Sequence, residues 1–143
     1  MKFLATTIQT PWAMSKYKYT PEHIYNLGIN EIFVFGSNRA GRHGAGAAKI
    51  ARKWGAEYGN PRGLQGHTYA IPTKDEKIKT LSLPEIKKEV DLFLIDAVQN
   101  YYLTFLVTKI GCGLAGYTPD EIAPFFAGAS QNVVLPIEFE PYR

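Results

Sequence analysis

The feature that most constrains the fold is a pair of short apolar runs, each of which leads into a glycine-rich loop. The run at 32–35 leads into the loop at 36–48, and the run at 104–108 leads into the loop at 109–117. Glycine lets a ligand approach bare backbone amides closely, and such amides form concavities that bind anions. Two units of this kind predict a cleft for a nucleotide-like ligand that carries two phosphates. The alternative is that the glycines only form tight turns.

Composition restricts the class of protein. The chain has 143 residues, 45% of them hydrophobic and 20% charged, which predicts one globular domain over 1–143. No apolar run approaches the ~20 residues that span a bilayer, and the N-terminus lacks the apolar stretch of a signal peptide. Cys112 is the only cysteine, so no internal disulfide forms and a cytoplasmic location is expected. The net charge of +3 suits an anionic ligand but does not by itself indicate nucleic acid.

Periodicity and capping signals predict alternating strands and helices. Four helices are expected: one at 20–28, one from about Gly44, one after the capping box at Ser82–Glu85, and one after Thr118. The helix from about Gly44 would have an apolar face that consists of Ala47, Ile50, Ala51 and Trp54. Strands are expected at 3–8, 32–35, 67–71 with a stop at Pro72, 104–108, and 133–139 with a break at Pro136.

This alternation predicts an α/β fold with helices on both faces of one sheet. In such sheets ligands bind beyond the carboxyl ends of the strands, which is where both glycine loops lie. The helix that begins near Gly44 adds the positive end of its dipole to the same region.

Common nucleotide motifs do not match these loops. The loop from Gly36 has the glycine spacing of a Walker A motif but continues with Arg42-His43, so it lacks the magnesium-binding hydroxyl. The run from Gly44 lacks the third glycine of a dinucleotide fingerprint. The three histidines are scattered and Cys112 has no cysteine partner, so we predict neither a metal site nor a cofactor.

The pattern resembles the macrodomain family, which binds ADP-ribose. In that family a strand ends in an asparagine, a glycine loop opens a helix, and a later glycine loop wraps the diphosphate. The match runs in order from 32 to 139. The resemblance implies a three-layer α/β/α domain with a central mixed sheet, and these ligand-binding residues: Gly36, Ser37, Asn38, Gly44, Ala45, Gly46, Ala47, Gly111, Cys112, Gly113, Leu114, Ala115, Gly116 and Tyr117.

Within the family, the chain is similar to the branch that contains the terminal ADP-ribose glycohydrolase and the antitoxin that removes ADP-ribose from DNA. The similarity lies in the runs at 44–46, 72–74 and 110–114. It implies that Lys74 is a nucleophile toward the anomeric carbon. The branch carries an aspartate where this chain has Ala115, and other hydrolytic members carry one where it has Ala48. Whether the chain is an enzyme therefore stays open.

Each role has a structural alternative. Lys74 is either the nucleophile or a solvated lysine in a charged loop, and Asn38 either orients the proximal ribose or only forms a turn. Tyr117 either stacks on a sugar or covers its loop. Arg39, Arg42 and His43 are weaker candidates for phosphate contacts.

The expected partner is ADP-ribose or an ADP-ribosylated macromolecule, and nucleic acid is among the candidate modified substrates. A slow ADP-ribosyl glycohydrolase activity through Lys74 is a secondary expectation. The alternative is a non-catalytic module that binds another nucleotide, a cyclic nucleotide or nucleic-acid phosphates. No membrane partner is expected.

Overall fold

The computed structural model describes residues 17–143, and in them five strands form one mixed sheet. The strands are β1 Glu31–Asn38, β2 Gly63–Gln65, β3 Thr68–Lys74, β4 Thr104–Val107 and β5 Val133–Val134. Their order in the sheet is β2-β3-β1-β4-β5. Strand β2 is an antiparallel edge strand, and the other pairings are parallel. The carboxyl ends of β3, β1 and β4 therefore lie side by side at one edge.

Three α-helices cover the sheet: α1 Gly46–Ala51, α2 Leu83–Gln99 and α3 Pro119–Ile122. Single turns of 3-10 helix follow at Arg52–Trp54, Ala123–Phe126 and Glu140–Tyr142. Gly55 ends the first of them with a φ of 111°, a left-handed conformation that glycine adopts at little cost.

Alternate side chains of β1 enter two separate cores. Ile32 and Val34 pack in the larger cluster, which includes residues of α2 and α3, whereas Phe33 and Phe35 pack in a smaller cluster with α1. The sheet thus has a helical layer on each face. This confirms the predicted α/β fold with three layers and a central mixed sheet.

Helix α2 begins where the sequence predicted. Ser82 Oγ accepts from Glu85 N at 3.4 Å, and Glu85 Oε1 accepts from Ser82 N at 3.0 Å, so the capping box forms. The buried face of the helix carries Ile86, Val90, Phe93 and Ala97. Tyr101 continues the spacing of this face in the sequence but lies beyond the end of the helix and is largely exposed.

The prediction of a helix at 20–28 is wrong, because the predicted capping residue, Thr20, makes its hydrogen bonds to a distant segment instead. Thr20 Oγ1 donates to Val134 O at 3.0 Å, and Thr20 N donates to Leu135 O at 2.9 Å. The segment is therefore attached to the end of β5 in irregular conformation. At its other end, Gly28 N donates to Glu31 Oε1 at 2.7 Å.

Other element boundaries also differ from the predictions. Strand β3 continues through Pro72, which pairs with Ser37 next to an irregularity in the register of β1. Strand β5 stops at Val134, since Phe139 N donates to Pro136 O at 2.9 Å and the chain turns there. The sequence did not predict β2.

Helix α1 begins at Gly46 rather than Gly44 and lasts six residues. Ala48 and Ala51 are its buried residues, because these small side chains let the helix approach the sheet. Ile50, which was predicted on the buried face, is 48% exposed.

The strand predicted at 3–8 lies outside the described residues. Within 17–143, no helix has the length and apolar character needed to cross a membrane. The same part of the chain contains no cluster of histidine, cysteine and carboxylate side chains suited to a metal ion.

Candidate functional site

A cleft of about 810 Å³ lies beyond the carboxyl ends of β1, β3 and β4. Both glycine loops line it: the first loop is residues 36–48 and the second loop is residues 109–117. Of the predicted site residues, those in the cleft wall are Gly36, Ser37, Asn38, Gly44, Ala45, Gly46, Ala47, Lys74, Gly111, Gly113, Leu114 and Ala115. The two loops approach each other closely, because a Cβ on Gly46 would lie 3.6 Å from Leu114 Cδ1.

The first loop is held by the side-chain amide of Asn38. Its Nδ2 donates to Arg42 O at 2.8 Å, and its Oδ1 accepts from Arg42 N at 2.9 Å. Gly41 makes the turn with a φ of 69°, and a Cβ there would lie 2.4 Å from a backbone atom of Gly59. The amide of Asn38 thus closes the turn. The predicted ribose contact of Asn38 stays a prediction.

The first loop also packs against the segment at 59–61. Ser37 Oγ donates to Pro61 O at 2.5 Å, and the buried His43 ring contacts Asn60 O through Nε2 at 3.1 Å. The His43 ring also lies edge-on to Phe35, with centroids 5.2 Å apart. His43 therefore points into the protein, which removes it from the candidates for phosphate contact.

The second loop exposes three amides. Cys112 N donates to Lys109 O, Gly116 N to Gly113 O at 3.1 Å, and Tyr117 N to Gly111 O at 2.9 Å. Between them, the amides of residues 113–115 find no acceptor in the described part of the chain. A Cβ on Gly113 would meet no atom within 4 Å. The loop therefore presents consecutive open donors, the arrangement that binds anions.

Three predicted residues do not line the cleft. Tyr117 packs against the larger core, and its hydroxyl donates to Leu81 O at 2.7 Å. Gly116 completes the turn with a φ of 92°. Cys112 is half-buried against the same core, and burial raises the pKa of its thiol to about 11. The thiol is therefore protonated near neutral pH, which suits a filler rather than a nucleophile.

Lys74 lies at the end of β3, opposite Asn38 in the register. Its carbonyl accepts from Arg39 N at 2.9 Å, and its half-buried side chain faces the cleft. No carboxylate within 17–143 forms an ion pair with it. The nearby Arg39 instead pairs with Glu85 at 3.3 Å.

Carboxylates are scarce in the cleft. Asp75, which follows Lys74, accepts from the backbone of Lys77 and Lys79, and the Lys79 bond is the main cause of its lowered pKa. Asp120 accepts from the Tyr142 hydroxyl at 2.7 Å and lies outside the lining. Glu22 is the one carboxylate side chain among the lining residues that the structure describes.

The charge of the cleft wall is mainly positive. The lining includes Arg42, Lys53, Lys74 and Lys109, against the single carboxylate of Glu22. Lys109 Nζ lies 3.5 Å from both Glu22 Oε2 and Glu138 Oε2, so its charge is balanced locally. The other three cations leave a positive potential that favours an anionic ligand.

The sequence did not predict the part of the cleft wall that lies outside the two glycine loops. Residues 21–25, together with Ile50, Lys53, Tyr58 and Ile78, line the cleft. Tyr25 is 75% exposed and Tyr58 is 63% exposed, so both offer aromatic surface beside the glycine loops. No local pattern indicated these residues, because packing of distant segments brings them to the cleft.

Comparisons with known proteins support the fold alone. No family model and no curated protein matches this chain. A solved structure titled "Structure of a Protein of Unknown Function from Bacteroides thetaiotaomicron" aligns with a TM-score of 0.50 and 13% sequence identity. The alignment covers 74% of this chain and 87% of that one. The chain is thus similar in fold to that structure.

Proposed function

We propose that this chain binds ADP-ribose, or an ADP-ribosyl group on a macromolecule, in the cleft between its two glycine loops. The observation that carries the proposal is the row of amides at 113–115, which have no internal acceptor and lie on a loop that lines the cleft together with residues 44–47. Such donors suit the two phosphates of a nucleotide diphosphate. A cytoplasmic location, which the lone thiol of Cys112 favours, is part of the same proposal.

The size and charge of the cleft support this ligand class. Its volume of about 810 Å³ lies within the range of small-molecule sites, which is roughly 300–1,000 Å³. The cationic side chains of Arg42, Lys53 and Lys74 suit a dianionic diphosphate. The exposed rings of Tyr25 and Tyr58 offer faces on which a base can stack.

A slow glycohydrolase reaction through Lys74 is the secondary proposal. The Lys74 amine would attack the anomeric carbon of the distal ribose, and the bond from that carbon to the acceptor would break. The acceptor would leave with the bonding electron pair and take up the proton that the lysine nitrogen loses as its new bond forms. A water would then attack the same carbon, and the lysine nitrogen would leave with the electron pair of the carbon–nitrogen bond and recover a proton from that water. Ala115 supplies no acid at this point, which is why we expect the reaction to be slow.

Nucleic-acid binding is the second candidate, and one observation favours it. Two cation–aromatic pairs flank the cleft: Arg52 lies 5.6 Å from the centre of the Tyr58 ring, and Lys53 lies 4.4 Å from that of Trp54. Basic and aromatic side chains together are typical of single-strand binding surfaces. On this hypothesis the amides of the loops would contact backbone phosphates.

Titration calorimetry separates the two candidates. The parent protein is titrated with ADP-ribose and with a short single-stranded oligonucleotide, at low and at high salt. Saturable one-to-one binding of ADP-ribose with weak oligonucleotide binding supports the first proposal. Oligonucleotide binding that falls steeply with salt, without ADP-ribose binding, would contradict it, because that dependence reports the release of counterions from a phosphate backbone.

A further inference from the structure

The turn that follows Lys74 has an unusual internal structure. The Asp75 carboxylate accepts from Lys77 N at 2.8 Å and from Lys79 N at 2.9 Å. Asp75 N donates to Lys79 O at 2.7 Å, and Ile78 N donates to Asp75 O at 3.1 Å. These four hydrogen bonds fix the backbone of residues 75–79, which we call the Ile78 turn.

Ile78 holds a strained backbone conformation. Its φ is 64°, and it is the one non-glycine residue with positive φ in the described part of the chain. A β-branched side chain crowds the backbone in this left-handed region, where glycine and asparagine are the usual residues. Such outliers persist only where the surrounding structure holds them, and they concentrate at ligand sites.

The Ile78 turn is tied to the second glycine loop. Thr80, just after the turn, pairs with Lys74, and its Oγ1 donates to Ala115 O at 2.9 Å. Ile78 lines the same cleft as Lys74 and Ala115, although its side chain is still 39% exposed. The strained residue therefore presents a partly exposed apolar surface at the Lys74 end of the cleft.

We propose that Ile78 is a specificity-determining residue that covers the distal ribose of ADP-ribose beside Lys74. The inference rests on the proposed function, because a ligand attacked by Lys74 must have its anomeric carbon, and hence its distal ribose, at this end. Contact with the carbon face of the sugar buries the exposed part of Ile78 and offsets the cost of its backbone conformation. The cleft therefore prefers ADP-ribose to ADP, which lacks that ribose.

Ile78→Asn tests this with two readouts of opposite sign. Asparagine tolerates the left-handed conformation, so the melting temperature without ligand should rise by about 2–5 °C. Loss of the apolar cover should raise the Kd for ADP-ribose about five- to tenfold and leave the Kd for ADP within about twofold of the parent. Ile78→Val, which keeps the branch and most of the apolar surface, is the matched control and should resemble the parent in both readouts.

Two results would overturn the inference while the proposed function stands: an unchanged Kd for ADP-ribose in Ile78→Asn, or equal losses for ADP-ribose and ADP. Equal losses would mean that the substitution disturbs the glycine loop instead of the ribose contact. Failure of the parent protein to bind ADP-ribose at all would overturn the proposed function and this inference together.

Discussion

Gly44 and Gly113 are the two cleft glycines whose role is easiest to isolate. Neither has a positive φ, and a Cβ on either would meet no protein atom within 4 Å. Gly41 and Gly111 differ, because their Cβ atoms would lie within 3 Å of neighbouring atoms. A side chain at Gly44 or Gly113 therefore fills space in the cleft and leaves the fold intact.

Gly113→Val should remain folded and lose at least about tenfold in affinity for ADP-ribose, because the branched side chain covers the open amides. Calorimetry measures the affinity, and circular dichroism with a thermal melt checks the fold. Gly113→Ala should show a smaller loss. A folded valine variant that binds as tightly as the parent would mean that the diphosphate lies elsewhere.

Lys74 and Ala115 test the chemistry separately from binding. Lys74→Ala should abolish release of ADP-ribose from a modified DNA or protein, while affinity for free ADP-ribose falls only modestly. Ala115→Asp should raise the release rate by an order of magnitude or more, since one acid/base group is typically worth ~10²–10⁴. Lys77→Ala removes a lysine of the Ile78 turn, which follows Lys74 and whose Lys77 does not line the cleft, and serves as the control. Release that survives Lys74→Ala would exclude this lysine as the nucleophile.

At the scale of elements, α2 connects the sheet to the first glycine loop through Glu89. This carboxylate is 8% exposed and accepts from Arg62 Nε at 3.0 Å and from Arg62 Nη2 at 2.6 Å. Arg39, just after Asn38, has its Nη2 3.9 Å from Glu89 Oε2, the same oxygen that Arg62 Nη2 contacts. These three residues therefore join the segment before β2, helix α2 and the base of the first loop.

Glu89→Gln should lower the free energy of unfolding by about 1.5–3 kcal/mol, because a buried carboxylate loses charge-assisted hydrogen bonds. Asp91→Asn, on the exposed side of α2, breaks an ion pair with Lys87 and should cost at most about 0.5 kcal/mol. Urea denaturation measures both. Equal effects of the two substitutions would show that burial of Glu89 adds nothing to the strength of its pair.

Elements set by neighbouring residues could be predicted from the sequence, and those set by distant contacts could not. The start of α2 depends on Ser82 and Glu85 alone, so its signal is local. The helix expected at 20–28 has an equally good local signal, but Thr20 instead bonds to the end of β5, more than a hundred residues away. Pro72 stays within β3, where it lies beside an irregularity in the register of β1 that no local signal indicates.

The candidate site shows the same division at the scale of the whole molecule. A glycine-rich loop after an apolar run is visible in the sequence itself, so most of the cleft wall that the two loops form could be predicted. Glu22, Tyr58 and Ile78 come to the cleft from segments far apart in the chain, and only the folded sheet brings them together. For Tyr117 the sequence left open whether the ring stacks on a sugar or covers its own loop; its hydroxyl donates to Leu81 O and its ring packs against the larger core.

The stability of the whole domain should depend on Cys112 in alkaline solution. Burial raises the pKa of this thiol from 9.0 to about 11 in the folded protein. The unfolded chain therefore loses the proton first as the pH rises above about 9, and the resulting loss of stability grows until the pH passes about 11 and is constant above it. The stabilising contribution is thus complete below about pH 9 and lost above about pH 11.

Cys112→Ala removes this titration and should make the melting temperature fall less between about pH 8 and about pH 11 than it does in the parent. Tyr69, whose pKa is also raised, mainly by burial and then by its hydrogen bond to Asp96, is present in both chains, so its effect cancels in the comparison. Thermal melts at matched ionic strength measure the difference. Parallel pH profiles for the two chains would contradict the prediction, because they would mean that water reaches the thiol and that the second glycine loop opens away from the core.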